Sequence, residues 1–244
     1  MTVRGGTRGV APARPRALQD RDVAIRMIPL DLDEDGLAQA ERRGLSADER
    51  RYAASGTPEV RRRRIALRAG LRRVLGEILD LPPALVPLRP TAGGRPQIDL
   101  AAGGLDVSCS AAGPLGLLAV ARGLRIGIDV EPVRAWDDAT LDEGWLSPTE
   151  AAQLATLPTS VRGTAAARCW TRKESMLKAV GIGLAMPPGT VDVGFVRERV
   201  ADWSLVPVAV PDGYVATLAS SVPIAGRARV LPSASMAEID GMDR

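Results

Sequence analysis

Asp129 and Glu131 stand two residues apart in the run Arg125-Ile126-Gly127-Ile128-Asp129-Val130-Glu131. The apolar alternation predicts a strand, on which side chains at i and i+2 share a face. The two carboxylates therefore project together, opposite Ile128 and Val130. Like charges so placed repel unless a cation lies between them, and a hard divalent ion with oxygen ligands, such as Mg²⁺, would serve. An antiparallel strand with one solvated polar face gives the same pattern. On the carboxylates alone, that is the commoner explanation.

A second run is Cys169-Trp170-Thr171-Arg172-Lys173-Glu174-Ser175-Met176-Leu177-Lys178. Wound as a helix, it places Ala166, Cys169, Trp170, Leu177 and Val180 on one apolar arc. Lys173 falls inside that arc, Arg172 at its edge, and Glu174 and Lys178 on its flank. An ammonium among apolar neighbours is costly unless it is paired or reaches out along its stem. Glu174 and Lys178, at i and i+4, would make an ordinary surface ion pair if they did nothing else.

A third segment carries Arg61, Arg62, Arg63, Arg64, Arg68, Arg72 and Arg73 around an apolar stripe of Leu67, Leu71, Val74, Leu75 and Ile78. The wheel sets Arg64 nearest the buried side and turns Arg62 and Arg73 away. A solvated basic face accounts for most of these arginines, and nucleic-acid binding is a second possibility. Against the latter stand a net charge of only +3 and 3% aromatic residues for base stacking. Gly93-Gly94-Arg95-Pro96 and Ser108-Cys109-Ser110 complete the set. A glycine pair lets backbone amides approach a phosphate, and arginine adds charge. The same residues also suit a plain turn and a strand end.

The elements that must hold these residues follow from periodicity and punctuation. Strands are predicted over 23–30, 86–89, 105–110, 115–121, 125–131, 190–196, 203–210 and 214–219. Helices are predicted over 33–43, 46–54, 58–79 and 160–180. Pro82-Pro83 stops the third helix, and Gly181 and Gly183 end the fourth. Ser147-Pro148-Thr149-Glu150 has the form of a capping box with proline at the first helical position. Each half carries a long helix, a double proline and a strand, so the expected fold is α+β. Two similar halves, 23–122 and 123–222, would be related by a pseudo-twofold axis with the active-site cleft between them. Residues 1–22 are expected to form a disordered tail and 223–244 a loose one, with 227–231 able to add an edge strand.

Composition excludes several chemistries. There is no histidine among 244 residues. That removes Ser-His-Asp and Cys-His catalysis and His-ligated zinc. Two cysteines give no disulfide framework. Lysine occurs only at 173 and 178 among 32 basic residues, so the motif run holds both. No stretch approaches the ~20 apolar residues of a membrane span, and the N-terminus lacks the apolar core of a secretory signal. A cytoplasmic protein is expected.

In this order, the segments resemble the 4′-phosphopantetheinyl transferase superfamily, in its longer, monomeric, surfactin-type branch, over roughly 45–219. Gly127-Ile128-Asp129-Val130-Glu131 is similar to the family's G-[IV]-D-[IV]-E strand. Residues 170–184, WTRKESMLKAVGIGL, are similar to its W-x-x-K-E-[SA]-x-x-K-x-x-G-x-G-L helix. The resemblance implies metal ligation by Asp129, Glu131 and Glu174. It implies phosphate or coenzyme A contacts from Arg64, Gly94, Arg95, Ser108, Cys109, Lys173 and Lys178. Where relatives have Ser-His-Ser, this chain has Ser108-Cys109-Ser110, so a thiol replaces an imidazole that helps hold the 3′-phosphate of coenzyme A.

The implied reaction moves the phosphopantetheine arm of coenzyme A to a serine of an acyl or peptidyl carrier protein and releases 3′,5′-ADP. It would use Mg²⁺ or Mn²⁺, with Glu174 and Lys178 as catalytic groups and Glu174 a candidate to accept the serine proton. The chain would act as a monomer, away from membranes. A non-catalytic coenzyme A or carrier-protein binding module, and more remotely an arginine-rich nucleic-acid-binding protein, are the alternatives.

Overall fold

A computed structural model describes residues 18–90, 95–99, 104–133, 141, 143–181, 186–224 and 228–231. Helices and mainly antiparallel sheets form an α+β fold. The first sheet has the order β10-β1-β5-β4 and comprises β1 (Val23–Pro29), β4 (Leu105–Ala112), β5 (Leu115–Arg122) and β10 (Ala228–Leu231). The second has the order β6-β9-β8-β7 and comprises β6 (Ile126–Pro132), β7 (Arg199–Val200), β8 (Trp203–Pro207) and β9 (Tyr214–Ser220). β2 (Leu88–Pro90) and β3 (Pro96–Ile98) make a separate ribbon.

Helices α1 (Glu34–Gly44), α2 (Ala47–Ala54) and α3 (Pro58–Leu79) belong to the first half, and α4 (Pro148–Thr156) and α5 (Thr159–Val180) to the second. The strand order β1-β5-β4 recurs as β6-β9-β8, and a 22-residue helix lies between the first and second strands of the first sheet's set (β1 and β4) and of the second sheet's set (β6 and β8) along the chain.

Strand alternation divides the core into layers. Val23, Ile25, Leu117 and Ala119 from the first sheet meet Ile126, Ile128, Val130 and Leu218 from the second. The opposite faces carry Ile28, Leu118 and Val120 against α3 and Leu205 and Ala219 against α5. Side-chain caps start α1 to α4: Thr57 accepts from Val60 N–H, and Ser147 and Glu150 form the expected reciprocal capping box, whereas α5 follows Pro158 with no side-chain cap.

The two sheets meet along β4 and β6. Asp106 Oδ2, Ser108 Oγ and Ser110 Oγ accept from the backbone N–H groups of Ile126, Ile128 and Val130 at 2.9, 3.0 and 3.4 Å. Ile126 O and Ile128 O accept from Arg95 and Lys178. The edge of β6 that does not face β9 is thus satisfied by side chains instead of a neighbouring strand.

Three expectations from periodicity are corrected. No strand forms over 190–196. That backbone is held by buried side chains: Glu150 accepts from Val193 and Gly194 N–H, Arg172 donates to Val193 O and Gly194 O, and Lys173 to Val191 O. On α3 the buried arginine is Arg72, 2% exposed, not Arg64. Arg73, expected to face away, has its Nε and Nη1 shielded from solvent. Within 223–244, residues 228–231 pair in parallel with β1. Within 1–22, Leu18 O accepts from Arg122 Nε, and Arg21 N–H donates to Arg122 O. Among the described residues, no helix is long and apolar enough to cross a membrane.

Candidate active site

The strand face predicted to hold two carboxylates is built around a glycine. A Cβ at Gly127 would lie 2.0 Å from Ser175 O and 2.5 Å from Ala179 N, so α5 rests directly on β6 at this point. Thr171 and Thr217 hydroxyls, 3.0 Å apart, tie α5 to β9. An edge-to-face contact of Trp145 and Trp170, with centroids 5.3 Å apart, fixes its other side. Asp129, two residues on from Gly127 and on the same face, thereby comes under Lys178.

Asp129 is buried. Its Oδ1 accepts from Lys178 Nζ at 2.6 Å and from Ser110 Oγ at 2.7 Å. Its Oδ2 is buried without a hydrogen-bond partner among the described residues, and so is Oε1 of Glu174. Burial raises the Glu174 carboxyl above its ordinary range; the Lys178 charge opposes this and Asp129 adds to it. Burial works against the Lys178 ammonium, but Asp129, by charge and hydrogen bond, and Glu174 outweigh it and hold it more basic than usual. The ammonium donates to Asp129 Oδ1, Ser110 Oγ and Ile128 O, which uses its three protons.

Glu131 lies two residues beyond Asp129 and is half-buried. Among the described residues, no group of three or more His, Cys, Asp or Glu side chains is gathered closely enough to hold a metal ion. The fit to a divalent ion therefore rests on the chemistry of the donors. Two buried carboxylate oxygens lack hydrogen-bond partners among the described residues, and a hard cation with oxygen ligands would satisfy both.

The other sequence-marked residues are divided. Lys173 is 1% exposed and forms a buried pair with Glu150 at 2.6 Å, while donating to Pro188 O at 3.0 Å and to Val191 O. Glu150 is itself fully buried. Burial opposes its charge, but the Lys173 hydrogen bond and those from Ser147 and Val193 hold its carboxyl below the usual range. The Lys173 ammonium thus has protein acceptors on every side: Glu150, Pro188 O and Val191 O. Arg172, expected at the arc's edge, is buried too, and binds carbonyls of Val193, Gly194 and Arg197.

Arg95 joins β4 to β6 and α5: its Nη2 donates to both carboxylate oxygens of Asp106 at 3.0 Å and to Ile126 O, and its Nη1 to Lys178 O. Together with Arg125, which donates to Val180 O, it sits at the negative end of the α5 dipole. Ser108 is buried and engaged with Ile128. Gly94 lies outside the described residues.

Cys109 points to the other face of β4. It lines a cavity of about 260 Å³ with Glu49, Tyr52, Arg63, Arg64 and Arg68. Arg64 stacks 4.2 Å above the Tyr52 ring and donates to Tyr52 O and Ser55 Oγ. Arg68 approaches Glu49 at 3.4 Å and keeps a buried Nη1 without a hydrogen-bond partner among the described residues. Burial pushes the Cys109 thiol up, while Arg68, Lys178 and Arg95 pull it back down.

Arg68 was one of the seven arginines marked on this helix, with no role in the site. The signal was its i+4 spacing from Arg64, which places both on one flank of α3. The remaining arginines of α3 are largely paired: Arg61 with Glu41, Arg62 with Glu34, and Arg72 with Glu49. That pairing weakens the case for a nucleic-acid surface.

The profile of the 4′-phosphopantetheinyl transferase superfamily matches residues 125–210, the stretch that carries β6, α5 and the Asp129–Lys178–Glu174 cluster. The 4′-phosphopantetheinyl transferase HetI of Nostoc sp. (strain PCC 7120) is 33% identical over 208 residues, covering 81% of this chain and 87% of that protein. The chain belongs to the 4′-phosphopantetheinyl transferase superfamily and is a transferase of the holo-[acyl-carrier-protein] synthase type.

Proposed function

We propose that this enzyme transfers 4′-phosphopantetheine from coenzyme A to a serine hydroxyl of an acyl or peptidyl carrier protein. The serine oxygen forms a bond to the β-phosphorus, the bond from that phosphorus to the bridging oxygen breaks, and 3′,5′-ADP leaves. The observation that supports this best is the pair of buried, unpartnered oxygens, Asp129 Oδ2 and Glu174 Oε1, beside the Lys178 ammonium.

Asp129, Glu174 and, from the same strand face, Glu131 would hold Mg²⁺ or Mn²⁺. When bound, that ion supplies charge neutralisation at the diphosphate. Lys178 offers a second positive charge next to it, and positioning with electrostatic stabilisation dominates phosphoryl chemistry of this kind. Glu174, whose carboxyl burial raises above its ordinary range, would accept the serine proton on the oxygen not given to the ion. The cavity of Arg63, Arg64, Arg68 and Cys109 suits the 3′-phosphate end of coenzyme A. Arg95 and Ser108 act by holding the seam between the halves, from which Ser108 can still offer its hydroxyl proton. The enzyme works as a monomer, since one chain carries both the arginine cavity and the carboxylate cluster; a cytoplasmic location is the one that the sequence leads us to expect.

The test is mass spectrometry of an apo carrier protein incubated with this enzyme, coenzyme A and Mg²⁺. A phosphopantetheine mass increment on the carrier, lost on chelation with EDTA, is expected. Binding of coenzyme A without any increment across fatty-acid, polyketide and peptide carriers would overturn the proposal in favour of a binding module.

A further inference from the structure

Ser110 was left without a role in the chemistry, yet its hydroxyl is fully committed at the heart of the carboxylate cluster. A serine hydroxyl has one proton to give and two lone pairs to accept with. Here the lone pairs receive Val130 N–H at 3.4 Å and Lys178 Nζ at 3.2 Å. With donors on both lone pairs, the proton goes to Asp129 Oδ1 at 2.7 Å. Oδ1 also takes a proton from Lys178 at 2.6 Å. One oxygen of the carboxylate is therefore pinned from two directions, by β4 and by α5, while Oδ2 is buried with no hydrogen-bond partner among the described residues. Ser108, the preceding residue on the same face of β4, makes the matching bond to Ile128 N–H but has no carboxylate to orient.

We propose that Ser110 is a positioning residue: its hydroxyl fixes the rotation of the Asp129 carboxylate so that Oδ2, and not Oδ1, is presented as a single-oxygen ligand to the divalent ion. The inference rests on the proposed metal-dependent function. It assigns to the third residue of Ser108-Cys109-Ser110 a task separate from coenzyme A recognition. Groups that orient a metal ligand in this way are worth ten- to a hundredfold in metal affinity.

The experiment is a Mn²⁺ titration followed by the loss of the free-ion electron paramagnetic resonance signal, with coenzyme A at saturation. It compares wild type, Asp129→Ala, Ser110→Ala and Ser110→Thr, and circular dichroism verifies each fold. Wild type is expected to bind and Asp129→Ala to lose binding. Ser110→Ala should bind about ten- to a hundredfold more weakly, and Ser110→Thr, which keeps the hydroxyl on a strand that tolerates β-branching, should return to within about threefold of wild type. Wild-type affinity in Ser110→Ala, or equal loss in Ser110→Thr, overturns the role of Ser110 while leaving the metal site standing. Absence of Mn²⁺ binding by wild type overturns the metal site and this inference with it. If Ser110→Ala does not fold, Ser110→Cys, which replaces the hydroxyl by a weak thiol donor, takes its place with the same two outcomes.

Discussion

Lys173 and Lys178 lie on one helix, five residues apart in the same motif, and meet opposite surroundings. Lys173 is sealed between Glu150 and two backbone carbonyls, and every oxygen of Glu150 is in turn engaged by Lys173 or by backbone N–H groups. Lys178 is also saturated, but the carboxylates around it are not: Asp129 Oδ2 and Glu174 Oε1 have no hydrogen-bond partner among the described residues. A buried charge cluster that closes on itself is architecture, because adding a ligand would break bonds already made. One that leaves buried acceptors open favours a cation. The first lysine of the motif anchors the loop after α5, and the second lies against the open carboxylates.

That contrast can be broken from either side. The largest effect is expected at the closed cluster. Glu150→Gln leaves a buried ammonium without its counter-charge and should cost about 3–5 kcal/mol in urea unfolding, whereas Glu150→Gln combined with Lys173→Met should recover most of the loss. A double variant as unstable as the single one would show that the pair is not a closed unit. At the open cluster, Asp129→Ala should retain the fold while kcat/KM for carrier modification falls by at least about a hundredfold. Near-wild-type turnover at limiting Mg²⁺ would remove Asp129 from the site.

The arginine cavity sharpens the comparison at a smaller scale. Cys109→His should lower KM for coenzyme A about tenfold with kcat little changed, because an imidazole beside a dianionic phosphate is held protonated and donates a charge-assisted bond. Dephospho-coenzyme A, which lacks the 3′-phosphate, should not respond. An equal gain for both substrates would place Cys109 elsewhere.

The smallest effect concerns pH. Burial and Asp129 raise the Glu174 carboxyl above its reference of 4.5, against the pull of Lys178. The protonated form therefore persists to higher pH than for an exposed glutamate, and activity should fall with acidification at a pH above that reference. More Mg²⁺ should move this acid limb to lower pH, since ion and proton compete for one oxygen. A limb indifferent to Mg²⁺ would separate Glu174 from the metal.

Much of this was legible in the sequence where one local rule sufficed. The period of two in residues 125–131 gave β6 and the shared face of Asp129 and Glu131. Ser147 to Glu150 gave the start of α4, and Gly181 the end of α5. What was not legible depended on long-range partners. Glu150 completes a capping box, but it also lies under Lys173 from another helix and under the amides of Val193 and Gly194. No periodicity shows that. The apolar alternation over 190–196 pointed to a strand, yet side chains from α4 and α5 took its backbone groups. The wheel set Arg64 nearest the buried side of α3, but Glu49 on α2 draws Arg72 in as the buried arginine instead. Lys173 stood out in its apolar arc as an ammonium in need of a partner, but that partner, Glu150 on α4, was not legible.

The seam between β4 and β6 also bears on the order in which the molecule assembles. Each of its three rungs joins residues 20 apart in the chain, whereas the pairing of β1 with β10 joins Val23 to Ala228. Loop-closure entropy rises with the length of chain enclosed, and contacts between near neighbours form fastest. The short hairpin of β4 and β5, followed at once by β6, can therefore bring Ser110 to its position over Asp129 long before the last strand reaches the first sheet. For a chain that emerges from its N-terminus, the seam of the site is a local event.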